Sequence, residues 1–149
     1  MKKVFFLIRG ASGSGKSTFA NYIKRVCEEE KKKVKCFEAD DYFVKDGEYK
    51  FNPSKLPAAH KQCFDNAKKA LEDKETDVVI VSNTFVKEWE IKPYIDLAKK
   101  KKNVEYKIFR MDKQHENAHG VPMSKVEKQK RSMDDIEHEY FITSDRYAE

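Results

Sequence analysis

The chain has 149 residues, 39% hydrophobic and 38% charged, with 31 Lys and Arg against 26 Asp and Glu for a net charge of +5. That length suffices for one domain, expected to span residues 1–149, and ten Phe, seven Tyr and one Trp are too many aromatic residues for a disordered segment. No apolar run approaches the roughly 20 residues of a membrane span, the apolar start is too short for a signal peptide, and Cys27, Cys36 and Cys63 form no CxxC pair. These features disfavour export, membrane insertion, a disulfide framework and a zinc site, and they lead us to expect a cytoplasmic protein with reduced thiols.

In chain order, Val4-Phe5-Phe6-Leu7-Ile8 is a continuous apolar run of the kind a strand shows when both faces of a parallel sheet are covered. Residues 17–32 read as a helix with Phe19, Ala20, Ile23 and Cys27 on one side. A second strand is predicted over 34–38, ending at Asp40-Asp41, and the Asp46-Gly47 step marks a small hairpin or ordered loop. A helix over 58–73, a strand over 77–82, a helix over 91–102 and a strand over 104–109 follow. Pro122 is expected to open a last helix of about ten residues. Strands alternating with helices imply an α/β fold with a mainly parallel sheet.

Three of the five glycines, Gly10, Gly13 and Gly15, fall within six residues. Gly10-Ala11-Ser12-Gly13-Ser14-Gly15-Lys16-Ser17-Thr18 fits G-x-x-x-x-G-K-[ST] at every constrained position, between a buried strand and a helix. Glycines let successive backbone N–H groups converge on one anion, and the helix start adds its positive end. Lys16 is suited to reach the β- and γ-phosphates of a nucleoside triphosphate, and the Ser17 hydroxyl to ligate Mg²⁺.

Transfer to a hydroxyl needs a carboxylate that takes the proton and aligns the oxygen. In a parallel sheet the strand carboxyl ends line the ligand crevice, which brings forward Asp40 and Asp41 at the second strand and Asn83 and Thr84 at the third. Asp40 is the expected base, with Asp41 as helper, metal-shell ligand or turn cap. Tyr42, Phe43, Tyr49 and Phe51 are suited either to stack a nucleobase or to pack the loop. The segment from Lys125 to Arg131 reads as a charged helix, in which Lys128, Lys130 and Arg131 are the candidate clamp on the phosphates, with a solvated face as the alternative. All but five of the 31 basic residues are lysine, which favours a polyanion held by its backbone over base-specific reading. His115 and His119 stand four apart without a carboxylate pattern around them, so they are not expected to hold zinc.

With these motifs in their order, residues 3–133 resemble the small P-loop kinases of the polynucleotide kinase kind. The subgroup is that of stand-alone ATP-binding proteins related to the kinase domain of NEDD4-binding protein and to the N-terminal kinase of phage polynucleotide kinase. The resemblance is carried by Gly10–Thr18, Ala39–Phe43, Phe51-Asn52-Pro53 with Ala59-His60, Asn83-Thr84, Trp89–Tyr94 and Asn117–Pro122. It implies a three-layer P-loop kinase fold with a C-terminal helical lid, use of ATP and Mg²⁺, Asp40 as base, and lid cations following the His119-Gly120-Val121-Pro122 segment, with Arg131 the nearest match for a catalytic arginine.

The chain departs from that pattern at the third strand, where Ser82-Asn83-Thr84-Phe85 lacks an acid, at Phe43 where the phage enzyme has Arg, and at Ser132 where a lid arginine is usual. Phe43 and Phe85 are accordingly expected to shape the acceptor site. The acceptor implied is a hydroxyl on DNA or RNA, either a 5′ end or a hydroxymethylated base. A nucleoside or small metabolite is the alternative within the same chemistry, and a nucleotide-binding interaction module without transfer the alternative outside it.

Overall fold

The computed structural model describes residues 2–112 and 123–148. Strand β1 spans Lys3–Gly10 and helix α1 Lys16–Glu29; β2 is Val34–Phe37, and a 3₁₀ turn Ala39–Phe43 leads into a hairpin of β3 (Val44–Lys45) and β4 (Glu48–Tyr49). Helix α2 (Leu56–Glu72), β5 (Val78–Ser82), α3 (Glu88–Lys99), β6 (Val104–Met111), α4 (Met123–Ser132) and β7 (Tyr140–Ile142) complete the order. The main sheet runs β2-β5-β1-β6-β7, and each neighbouring pair is parallel. No helix among the described residues is long and apolar enough to cross a membrane.

Alternation along the central strands divides the core between the two faces of the sheet. Phe5, Leu7, Val79 and Val81 pack with α2 and α3 through Cys63, Ala67, Leu71, Ile91 and Tyr94. Ile8, Val78 and Ile80 pack on the other face with Phe19, Ala20 and Ile23 of α1. The result is the expected α/β fold of three layers around a parallel sheet.

The structure corrects several expectations. Asp40 and Asp41 do not end an extended strand but lie in the 3₁₀ turn. Helix α3 begins at Glu88, earlier than predicted, because the Asp134 carboxylate accepts from Glu88 N–H at 2.9 Å and Glu90 accepts from Lys87 N–H at 2.9 Å. Strand β7 escaped the sequence reading; it is three residues long, with Tyr140 and Phe141 more than half exposed. Lys3 is buried despite its charge, and it donates to the carbonyls of Asp73 and Thr76. Pro122, His115, His119 and the Asn117–Pro122 motif lie outside the described residues.

Arg9 is fully buried one residue before the glycine loop. Its Nε and Nη2 donate to Phe85 O at 3.0 and 2.7 Å, and Nη2 also to Val86 O at 3.1 Å. Nη1 donates to Asp134 O and to Glu139 Oε1, both at 2.8 Å. Arg9→Met leaves a buried carboxylate and three carbonyls without this donor, so it is expected to lower stability by about 3–5 kcal/mol, read as a shift of the urea unfolding midpoint.

Candidate functional site

Gly10–Thr18 curls at the carboxyl end of β1, where Gly13 and Gly15 take left-handed φ values of 79° and 94° that an ordinary side chain resists. At Gly10 a Cβ would come within 2.9 Å of Met111 O, so the loop closes against β6 only with glycine there. Gly15 caps α1, whose first residue is Lys16, so the positive helix end points into the loop.

The loop forms one wall of a cleft of ≈ 480 Å³. Ser12, Gly13, Gly15, Lys16, Ser17 and Thr18 line that wall, while Gly10, Ala11 and Ser14 turn the loop from behind. Facing it are Glu38, Ala39 and Asp40 after β2, then Ser82, Asn83 and Thr84 at β5, Tyr49 and Phe51 from the hairpin, Leu56 and His60 from the start of α2, and Glu90 from α3. Helix α4 adds Lys125 and Gln129, and Gln129 Oε1 accepts from Ser12 N–H at 2.9 Å.

Lys16 Nζ donates to Gly10 O and Ala11 O, each at 3.0 Å. Burial lowers its pKa to about 8, against the upward pull of Glu38 and Asp40. Burial likewise pushes the Glu38 carboxyl up to about 7, helped by the Asp41 and Asp40 charges and opposed by Lys16 and a hydrogen bond with Ser17. The sequence reading missed Glu38. Its signal was its place at the carboxyl end of β2, two residues before the expected base. The Ser17–Glu38 pair offers only hard oxygen donors, which fits Mg²⁺, an ion that takes one or two protein oxygens and leaves the rest to water and phosphate.

Asp40 lines the cleft, and the Tyr49 hydroxyl donates to its Oδ1 at 3.3 Å. Asp41 instead accepts from Glu38 N–H at 3.1 Å and caps the 3₁₀ turn. Asn83 lines the cleft with its side chain engaged: Oδ1 accepts from Ala39 N–H at 2.8 Å, and Nδ2 lies 3.6 Å from Cys63 Sγ. It thereby ties the Asp40 turn to the tip of β5.

Other expected site residues fall elsewhere. Phe43 and Phe85 are each 2% exposed in the core beneath the cleft, so they do not shape its surface, and Tyr42 packs half-buried against that core. Lys128, Lys130 and Arg131 are not among the cleft-lining residues. The face that α4 turns to the loop carries Lys125 and Gln129, one helical turn apart, with Val126 buried beside them.

A phosphate-binding loop between a buried strand and a helix, at the carboxyl edge of a parallel sheet, defines a P-loop nucleotide-binding domain of the kinase type. A family model described as AAA domain matches residues 5–136, and the chain belongs to that family. It is 33% identical over 131 residues to human NEDD4-binding protein 2; the match takes 83% of this chain and 7% of that protein, so the chain spans a small part of its relative. Among solved structures, the Mycobacterium tuberculosis APS kinase CysC in complex with AMPPNP and APS has a TM-score of 0.66 at 14% identity, covering 97% of this chain and 90% of that one. A chain of the Pnkp1/Rnl/Hen1 complex has 0.62 at 16% identity, covering 97% and 47%. A gluconokinase from Sinorhizobium meliloti has 0.55 at 15%, covering 99% and 85%. These likenesses show the fold.

Below pH 8 Lys16 is charged and above it neutral, and a bound triphosphate favours the charged form. ATP affinity without divalent metal is therefore expected to weaken as pH rises through about 8, with a proton taken up on binding. Titration of a fluorescent ATP analogue at pH 7 and 9.5 reads this, and Lys16→Met should flatten the difference along with the affinity.

Proposed function

We propose that the chain is a Mg²⁺- and ATP-dependent kinase that moves the γ-phosphate to a hydroxyl on a nucleic acid, whether a 5′ end or a hydroxymethylated base of DNA or RNA. The observation that carries the reading is that Asp40 and the phosphate loop line one cleft, with the Asp40 turn pinned by Asn83. The resemblance to polynucleotide kinases supports the acceptor class.

In this reading the backbone N–H groups of Gly13 and of Gly15–Thr18 hold the β- and γ-phosphates, with Lys16 swinging from the Gly10 and Ala11 carbonyls to the anion. Ser17 and Glu38 are the side chains that would hold Mg²⁺, which when bound would supply neutralisation of the phosphate charge. Lys125 is the cation that α4 brings over the loop. Asp40 takes the proton of the acceptor hydroxyl as its oxygen bonds to the γ-phosphorus. The bond from that phosphorus to the β–γ bridging oxygen breaks, and ADP leaves with the electron pair.

A small-molecule kinase is the second reading, favoured by the modest cleft, whose ≈ 480 Å³ suits a metabolite or nucleoside. The two separate by salt: transfer to a strand should weaken steeply as salt rises, transfer to a metabolite should not. With γ-labelled ATP and a panel of 5′-hydroxyl strands, hydroxymethylated DNA, nucleosides and gluconate, label is expected in a nucleic acid. Asp40→Asn should lower the rate by about 10²–10⁴. Unchanged transfer in that variant removes Asp40 from the mechanism, and ATP binding without label in any acceptor favours a nucleotide-binding module.

A further inference from the structure

The cleft holds an aromatic ledge to which phosphate binding assigns no task. Tyr49 and Phe51 lie parallel, 7° between planes and 6.3 Å between ring centres. They are 38% and 44% exposed, and both line the cleft with Asp40. The ledge is held from below, because Phe43, buried in the core, meets Phe51 edge-on at 5.1 Å and Tyr49 at 6.3 Å. It is also held along the chain. Asp46 and Gly47, at φ 52° and 78°, make the tight turn that pairs Val44 with Tyr49. Single exposed apolar residues need no explanation. Two rings stacked inside a cleft, one of them hydrogen-bonded to the candidate base, form a shaped surface for a third flat ring.

Charge narrows the occupant further. Among the described residues lining the cleft, the cations are Lys16, in the phosphate loop, and Lys125, on the helix tied to Ser12; Glu38, Asp40 and Glu90 are acidic. An acceptor whose reacting hydroxyl reaches Asp40 also meets the neighbouring Glu38 carboxyl, whose charge disfavours a sulfate or carboxylate beside that hydroxyl.

We infer that the acceptor hydroxyl is presented by a nucleoside unit whose uncharged base lies on the Tyr49–Phe51 ledge, with the Tyr49 hydroxyl orienting the Asp40 carboxylate. This rests on the kinase reading and adds the chemistry that selects the acceptor. The base belongs either to a strand end or to a free nucleoside. Stacking is sequence-tolerant, because every base has a π-face, so the ledge is expected to discriminate ring from no ring rather than one base from another.

The test uses the full chain at saturating ATP with four acceptors: a 5′-hydroxyl oligonucleotide, the same strand with an abasic 5′-terminal residue that keeps its hydroxyl, thymidine, and gluconate. The abasic strand should show a KM raised roughly ten-fold at similar kcat. Phe51→Leu, which keeps apolar packing on Phe43 but has no flat face, and Phe51→Ala should raise the KM of the intact strand by a similar factor and add little for the abasic one. Tyr49→Phe should keep KM and lower kcat.

Where the abasic strand shows the raised KM, which supports the ledge, a lower KM for the strand than for thymidine assigns the base to a strand end, and the reverse to a nucleoside. Equal KM for intact and abasic strands, or the same rise for both in Phe51→Leu, overturns the ledge and leaves the kinase reading standing. Label in gluconate alone overturns both. If no acceptor turns over, saturation-transfer NMR of adenosine with the nucleotide site filled by AMPPNP decides. A base-proton signal that disappears in Phe51→Leu supports the inference, and no such signal in the unaltered protein overturns it.

Discussion

A guanidinium without access to water, one residue ahead of the phosphate loop, holds three parts of the chain that are far apart in sequence. Stripping the Arg9 charge of water is costly and lowers its pKa, and the structure offsets that cost with five hydrogen bonds, one of them to the Glu139 carboxylate. Both Nε and Nη2 take the Phe85 carbonyl, which holds a buried phenylalanine at a φ of 45°, a conformation that persists only under such restraint. The same guanidinium takes Asp134 O, and Asp134 in turn caps α3 and accepts from Lys87. Glu139 is shared with Arg110 and with the N–H of Ile136. The tip of β5 and the segment that follows α4 are therefore set against β1 at the point where the loop begins.

From that anchor the cleft acquires its division of labour. The segment after α4 is docked on the β5–α3 connection, and Gln129 reaches back to Ser12, so Lys125 stands on the phosphate side. Asn83 leaves β5 and ties down the Asp40 turn through Ala39. These ties join strand tips and loops from separate parts of the chain. The geometry of the cleft is thus a property of the sheet's carboxyl edge, with the helices supplying the rigid backing.

Much of the candidate site's phosphate-loop side was legible in the residues. The phosphate loop is local, since its glycines, its lysine and the helix start act within nine consecutive positions, and apolar runs such as Val78–Val81 announce a buried strand without reference to anything else. The facing side of the cleft was only partly legible. Asp40 follows from its place after β2, whereas Phe43 and Phe85, expected at the acceptor surface, point into the core because a 3₁₀ turn and a positive-φ residue rotate them away from the cleft. Glu38 was overlooked for the same reason, since the direction of a side chain beyond a strand depends on how the next turn folds.

What the sequence by itself determined is the class of fold and the phosphate-loop motif, because both depend on short-range backbone chemistry and on hydrophobic period. Tertiary structure alone decided which charges face the cleft and which rings do. Lys125 rather than Arg131 turns toward the loop because helical phase is measured from the buried Val126, and Tyr49 and Phe51 rather than Tyr42 and Phe43 form the exposed ledge because Phe43 is needed beneath them. Arg9 is the extreme case: four acceptors from distant segments converge on it, and no local pattern encodes that convergence.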